Sequence, residues 1–138
     1  MVNIRQAVIL AGGRGTRLKP LTDKIPKPIV PVNGKPFIEY LIELLKKNNI
    51  ENIVLCIGYL SEKIIEHLGD GTKFGINITY SIGDESFETG KRLKHAEPIL
   101  DERFLLLYCD NYWPMQLQDI LEIYEKHKEP MLITVYTN

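Results

Sequence analysis

"AVILAGGRGTRLKPLTDKIPKP", residues 7–28, sets an apolar run directly against three glycines, five cations and three prolines. The run 7–11 lacks polar alternation, as a strand does when its sheet is covered on both faces. Glycines straight after such a strand let the backbone turn sharply. They also bring main-chain N–H groups close to a ligand with no Cβ in the way, so successive amides form a concave anion site.

Outward from this stretch, residues 53–57, 76–80, 104–108 and 131–136 repeat the short apolar, β-branched signature of a strand. Helical spacing fills the gaps. Phe37, Leu41, Leu44, Leu45 and Asn48 follow the i, i+4, i+7 rule, with the Asn48-Asn49 pair as the stop. A second helix is expected from Ser61 as N-cap to Gly69, with Ile64, Ile65 and Leu68 inward. A third is expected over 87–97, broken by Pro98, and a fourth over 117–128 with Ile120, Leu121 and Tyr124 inward. Strand and helix in alternation predict a three-layer α/β/α sandwich on a parallel sheet, with ligands outside the carboxyl ends of the strands.

The chain has 138 residues, 44% of them hydrophobic, enough for one domain with a core of its own. Seventeen Lys+Arg against eighteen Asp+Glu leave a net charge of -1, which gives no global field toward nucleic acid or anionic lipid. Cys56 and Cys109 form no C-x-x-C pair and lie in or beside apolar runs, so they read as buried thiols. No segment reads as a signal peptide or a membrane span. These features predict a soluble cytoplasmic protein with no nucleic-acid or membrane partner.

Charge is nonetheless concentrated: residues 12–36 hold six cations (Arg14, Arg17, Lys19, Lys24, Lys27, Lys35) against the single acid Asp23. A polyphosphate ligand accounts for both the sign and the place, and a solvated basic loop is the plain alternative. Two phosphate loops are excluded. No glycine here has Gly-Lys-Ser/Thr at the P-loop offset. The dinucleotide fingerprint fails at Leu18 and again at Gly58-Tyr59, where its ribose acid would stand. In "IPKPIVP" Pro26 and Pro28 bracket Lys27, which predicts a stiff, non-helical arm carrying that lysine. Asp110 closes an apolar run and reads, from residues alone, as either a turn residue or a metal-binding carboxylate.

The stretch from Ala7 to Ile42, with its L-A-G-G-x-G-T-R-L-x-P-L-T, P-K-P and G-K-P motifs, resembles the N-terminal signature of the sugar-1-phosphate nucleotidyltransferases, the nucleotide-sugar pyrophosphorylases. The resemblance implies a mostly parallel, Rossmann-like sheet of the nucleotide-diphospho-sugar transferase type. It implies a nucleoside triphosphate and a sugar 1-phosphate as substrates, an NDP-sugar and pyrophosphate as products, and Mg²⁺ as cofactor. Carried over, Leu10, Ala11, Gly12, Gly13, Gly15 and Thr16 form the nucleotide-binding turn. Arg17 steadies the β- and γ-phosphates, Lys27 contacts the α-phosphate and the incoming sugar phosphate, and Asp110 holds the metal.

Two departures stand against that pattern. Cys109 replaces the glycine that precedes the aspartate. In "ESFETGKRL", Glu88, Gly90, Lys91 and Arg92 occupy positions where the family keeps small residues, while Thr89 and Leu93 persist. Glu85 and Thr89 are the candidate base contacts. Lys91 and Arg92 either reshape the base pocket, add phosphate contacts, abolish nucleotide binding, or are solvated helix charges. The chain is also shorter than family members, which carry a sugar-binding second half. The expectation is a nucleotide-binding domain over 1–138 lacking that half, with self-association through apolar surface left open. The alternative function is a nucleotide-binding module or pseudo-enzyme without complete catalytic machinery.

Overall fold

A computed structural model describes residues 2–137. Its core is a four-stranded sheet with every pairing parallel, in the order β5 (Asn77–Ile82), β4 (Asn52–Ile57), β1 (Gln6–Leu10), β6 (Leu105–Tyr108). In chain order, β1 spans Gln6–Leu10, a small antiparallel hairpin pairs β2 (Pro31–Val32) with β3 (Lys35–Pro36), and α1 spans Phe37–Lys47. Then follow β4 (Asn52–Ile57), α2 (Ser61–Leu68), β5 (Asn77–Ile82), α3 (Thr89–Ala96), β6 (Leu105–Tyr108) and α4 (Leu117–His127).

Side-chain alternation along the strands divides the core into two layers. Ala7, Ile9, Ile53, Leu55 and Ile57 face one way and pack with Ile38, Leu41, Leu45, Ile64, Leu68, Leu117 and Leu121 of α1, α2 and α4. Val8, Leu10, Val54 and Cys56 face the other way, against Ala96 and Leu93 of α3 with Leu100 and Phe104. Helices on both faces explain why β1 and β4 read as unbroken apolar runs. The three-layer parallel architecture expected from the sequence is the one observed.

Local signals act as their chemistry predicts, with exceptions. Asn48 ends α1, and its side chain ties that end to the start of α4: Nδ2 donates to Leu44 O and Met115 O, and Oδ1 accepts from Leu117 N. Asn33 and Gly34, both at positive φ, make the two-residue turn of the β2–β3 hairpin. Pro98 ends α3 as expected, inside a 3₁₀ turn over Glu97–Ile99. Ser61, however, is the first helical residue of α2. The cap position belongs to Leu60, at φ 49°, and carries no side-chain capping bond. The arm at Lys27 is also not free of helix: Lys27–Ile29 forms a 3₁₀ turn. Pro28 suits its first positions, where no N–H is needed.

The fifth expected strand, residues 131–136, does not form. A strand needs a neighbour for its N–H and C=O groups, and no described strand pairs with this run. Met131, Ile133, Val135 and Tyr136 are 69% to 91% exposed. β6 is an edge strand of the sheet, with Leu106 and Tyr108 exposed on its α3 side. Substitution of Leu55, fully buried, by alanine is expected to cost ~2–5 kcal/mol in urea unfolding. Ile133→Ala is expected to stay within about 0.5 kcal/mol of wild type, and a core-sized loss there would show that residues 131–136 pack as a strand.

Candidate functional site

All four sheet strands are parallel, so their carboxyl ends open on one edge, and the connections that leave there enclose a cavity of about 560 Å³. Its first wall is the glycine turn. Ala11 N still donates to Cys56 O at 2.9 Å, after which the chain leaves the sheet, and Gly12 O accepts from Tyr59 N at 3.3 Å. Gly15 has φ +61°, and a Cβ there would meet Thr22 Cγ2 at 3.0 Å and Lys27 Cβ at 3.2 Å. A side chain there would strain both the left-handed backbone and the tight packing against Thr22 and Lys27. The buried Thr22 closes the turn from behind: its hydroxyl donates to Gly15 O at 2.8 Å, and Tyr59 donates to Thr22 O at 2.8 Å.

Lys27 comes from this turn and Asp110 from the end of β6, 83 residues on, and their side chains meet across the cavity with Nζ to Oδ2 at 2.5 Å. Asp110 is placed by the strand it follows, since Cys109 N donates to Leu10 O at 3.2 Å and the Cys109 side chain is buried. The opposite wall is the start of α3, where Glu88, Thr89, Gly90 and Arg92 line the cavity.

Of the residues singled out from sequence, Leu10, Ala11, Gly12, Gly13, Gly15, Lys27, Thr89 and Asp110 therefore share one cavity. Thr16 and Arg17 do not line it; they sit exposed on the 3₁₀ turn Thr16–Leu18. Glu85 is also outside the lining and is ion-paired with Arg14, which raises the arginine pKa further. The basic segment is thus largely offset: Lys19 pairs with Asp23 at 3.8 Å, and Lys35 pairs with Glu43. The lining itself carries two cations, Lys27 and Arg92, against two acids, Glu88 and Asp110.

Arg92 is not a solvated helix charge. It is 4% exposed, and its guanidinium donates to the carbonyls of Ile57, Asp84 and Phe87 at 3.1, 3.0 and 2.9 Å. Burial lowers its pKa, since no carboxylate is bonded to it to offset the lost hydration. Lys91, by contrast, is exposed, with its ammonium 4.4 Å from the Phe87 ring centroid. The sequence had flagged Arg92 only by its size at a small-residue position, and nothing in the linear pattern tells a buried arginine from an exposed one. Glu88 and Gly90, flagged with Arg92 at small-residue positions, also line the cavity, whereas Phe87 and Tyr108 in the lining carried no site signal of their own.

Asp110 supplies one carboxylate, and the described residues contain no cluster of three or more His, Cys, Asp or Glu suited to a metal. Mg²⁺ accepts one or two protein carboxylates when phosphate and water complete its shell. The donor set therefore fits a metal arriving with phosphate. Among the described residues, no helix is long and apolar enough to cross a membrane.

A family model described as nucleotidyl transferase matches residues 6–138. The chain is 39% identical over 115 residues to the D-glycero-alpha-D-manno-heptose 1-phosphate guanylyltransferase of Campylobacter jejuni, covering 83% of this chain and 52% of that protein. It is 38% identical over 117 residues to the UTP–glucose-1-phosphate uridylyltransferase AglF of Haloferax volcanii, covering 85% and 48%. Among solved structures, HddC from Yersinia pseudotuberculosis complexed with GMP-PN superposes with a TM-score of 0.78 at 31% identity, covering 88% of this chain and 54% of that one. The chain thus spans about half the length of these relatives.

Burial holds both thiols, Cys56 and Cys109, up at about 11 from an ordinary 9.0. A pKa raised on folding contributes stability that is complete below pH 9 and is lost as the pH climbs through 11. Urea unfolding from pH 8 to 11 is expected to show a steeper decline for wild type than for Cys56→Ala/Cys109→Ala; equal slopes would place the thiols in water.

Proposed function

This chain belongs to the nucleotidyl transferase family, and we propose that it binds a nucleoside triphosphate at the carboxyl edge of its sheet and transfers the nucleotidyl group to a sugar 1-phosphate. A phosphate oxygen of the sugar phosphate attacks the α-phosphorus. The bond from that phosphorus to the bridging oxygen breaks, and pyrophosphate leaves with the electron pair. The reading is carried by one observation: Lys27 and Asp110, from distant segments, converge at the glycine turn. The relatives named as guanylyl- and uridylyltransferases support it.

Each residue has a role that its placement allows. The amides of Gly12, Gly13 and Gly15 bind phosphate oxygens. Lys27, on its proline-bracketed turn, gives up Asp110 and moves its ammonium onto the α-phosphate and the attacking phosphate, so little ordering remains to be done at that moment. Asp110, once released, is the carboxylate that would hold Mg²⁺, which when bound supplies charge neutralisation for the phosphates. Thr89, at the start of α3, faces the nucleoside side. Thr16 and Arg17 lie outside the lining, and in this reading Arg17 steadies the departing pyrophosphate.

The second reading is nucleotide binding without turnover, favoured by Glu88 and Arg92 on the α3 wall, at positions where the resembled family keeps small residues. A panel of nucleoside triphosphates and sugar 1-phosphates with Mg²⁺, followed by pyrophosphate release and thermal shift, separates the two. Pyrophosphate release is expected for at least one pair. A nucleotide-dependent thermal shift without release supports the binding module, and neither response sinks both. In the active pair, Lys27→Ala and Asp110→Asn are each expected to lower turnover by ~100- to 1000-fold. Their ion pair is part-exposed and worth at most about 1 kcal/mol, so the melting temperature is expected to stay close to wild type.

A further inference from the structure

Three glycines from three different segments surround one side chain. A Cβ on Gly12 would fall 2.1 Å from the Arg92 guanidinium carbon, and one on Gly58 would fall 2.9 Å from its Nη1. Gly83 faces the same guanidinium, with Nη1 3.7 Å from its ideal Cβ. Gly12 belongs to the phosphate side of the cavity, Gly58 follows β4, and Gly83 opens the loop leading to α3. From α3, Arg92 thus reaches under that loop to Ile57 at the end of β4, donates to Asp84 and Phe87 on the way, and lies against Gly12.

We propose that Arg92 is a positioning residue for nucleotide binding, one that fixes the distance between the glycine turn and the α3 wall by bonding the 84–87 loop to β4 and filling the space beside Gly12. The inference rests on the nucleotide reading of the cavity given above. A planar guanidinium suits the task because its donors lie in one rigid fork, which reaches three carbonyls at once. A neutral donor would serve fewer of them. An apolar side chain would leave three carbonyls without their bonds and a void behind Gly12. The spacing matters because a nucleotide spans both walls, phosphates on the glycine turn and nucleoside toward α3, whereas inorganic tripolyphosphate engages the first wall alone.

The test is calorimetric binding of ATP, GTP, CTP, UTP and dTTP, and separately of tripolyphosphate, each with Mg²⁺. The proteins are wild type, Arg92→Ala and Arg92→Lys. Arg92→Ala is expected to weaken the bound nucleoside triphosphate roughly tenfold or more while changing tripolyphosphate less than about threefold. Arg92→Lys keeps the charge but not the fork, and is expected to show the same split; it carries the comparison alone if Arg92→Ala does not fold.

The proposal is overturned by a folded Arg92 variant that binds the triphosphate as tightly as wild type, or by equal losses for triphosphate and tripolyphosphate. A wild-type protein that binds none of the five triphosphates overturns the nucleotide reading and this inference with it.

Discussion

β1 is held between two parallel partners, with Leu10 opposite Cys56 of β4 on one side and Tyr108 of β6 on the other. That register is fixed by burial. Sliding the strand by one residue would exchange Ile9 and Val8 between the two helical layers and misplace every apolar side chain of β1. Because the strands end together, the glycine turn after Leu10, Gly58 after β4 and Asp110 after β6 emerge on one edge, and no separate device is needed to assemble the cavity. The chemistry at that edge is inherited from the packing beneath it.

Within the cavity, electrostatics are decided by pairing and not by the number of cations in the sequence. Six basic residues crowd the segment 12–36, yet only Lys27 among them lines the cavity, and there it is held by Asp110. Arg14, Lys19 and Lys35 are spent on Glu85, Asp23 and Glu43. An anion entering the cavity meets backbone amides and a lysine that must first leave its carboxylate. A ligand carrying phosphate and a divalent cation together answers both halves of the Lys27–Asp110 pair, which neither half of the ligand does alone.

The sheet and its helices were legible because the signals were local and repeated: apolar runs of strand length, helical spacing between them, and Asn48, Gly69 and Pro98 at the breaks. Residues 131–136 carried the same signal and failed, because strand formation needs a partner that no run of sequence supplies by itself. The β2–β3 hairpin had its signal in Asn33-Gly34, a turn pair flanked by strands too short to notice. At the site, Lys27 and Asp110 were readable through motif and position. Their contact was not, since it depends on the strand order β1-β6. Arg92 was the hardest to read: a charged residue on a polar helix, whose burial follows from three glycines scattered over seventy residues of chain.

The central claim is that the cavity between the glycine turn and the start of α3 is where this protein takes a nucleoside triphosphate. Backbone amide shifts recorded while each triphosphate is titrated with Mg²⁺ test it most directly. The account predicts that the largest changes fall on Gly12, Gly13, Gly15, Thr89, Gly90 and Asp110. Shifts gathered instead around Val2, Arg103 and Lys128, at a separate cavity of the molecule, with the glycine turn unmoved, would contradict it.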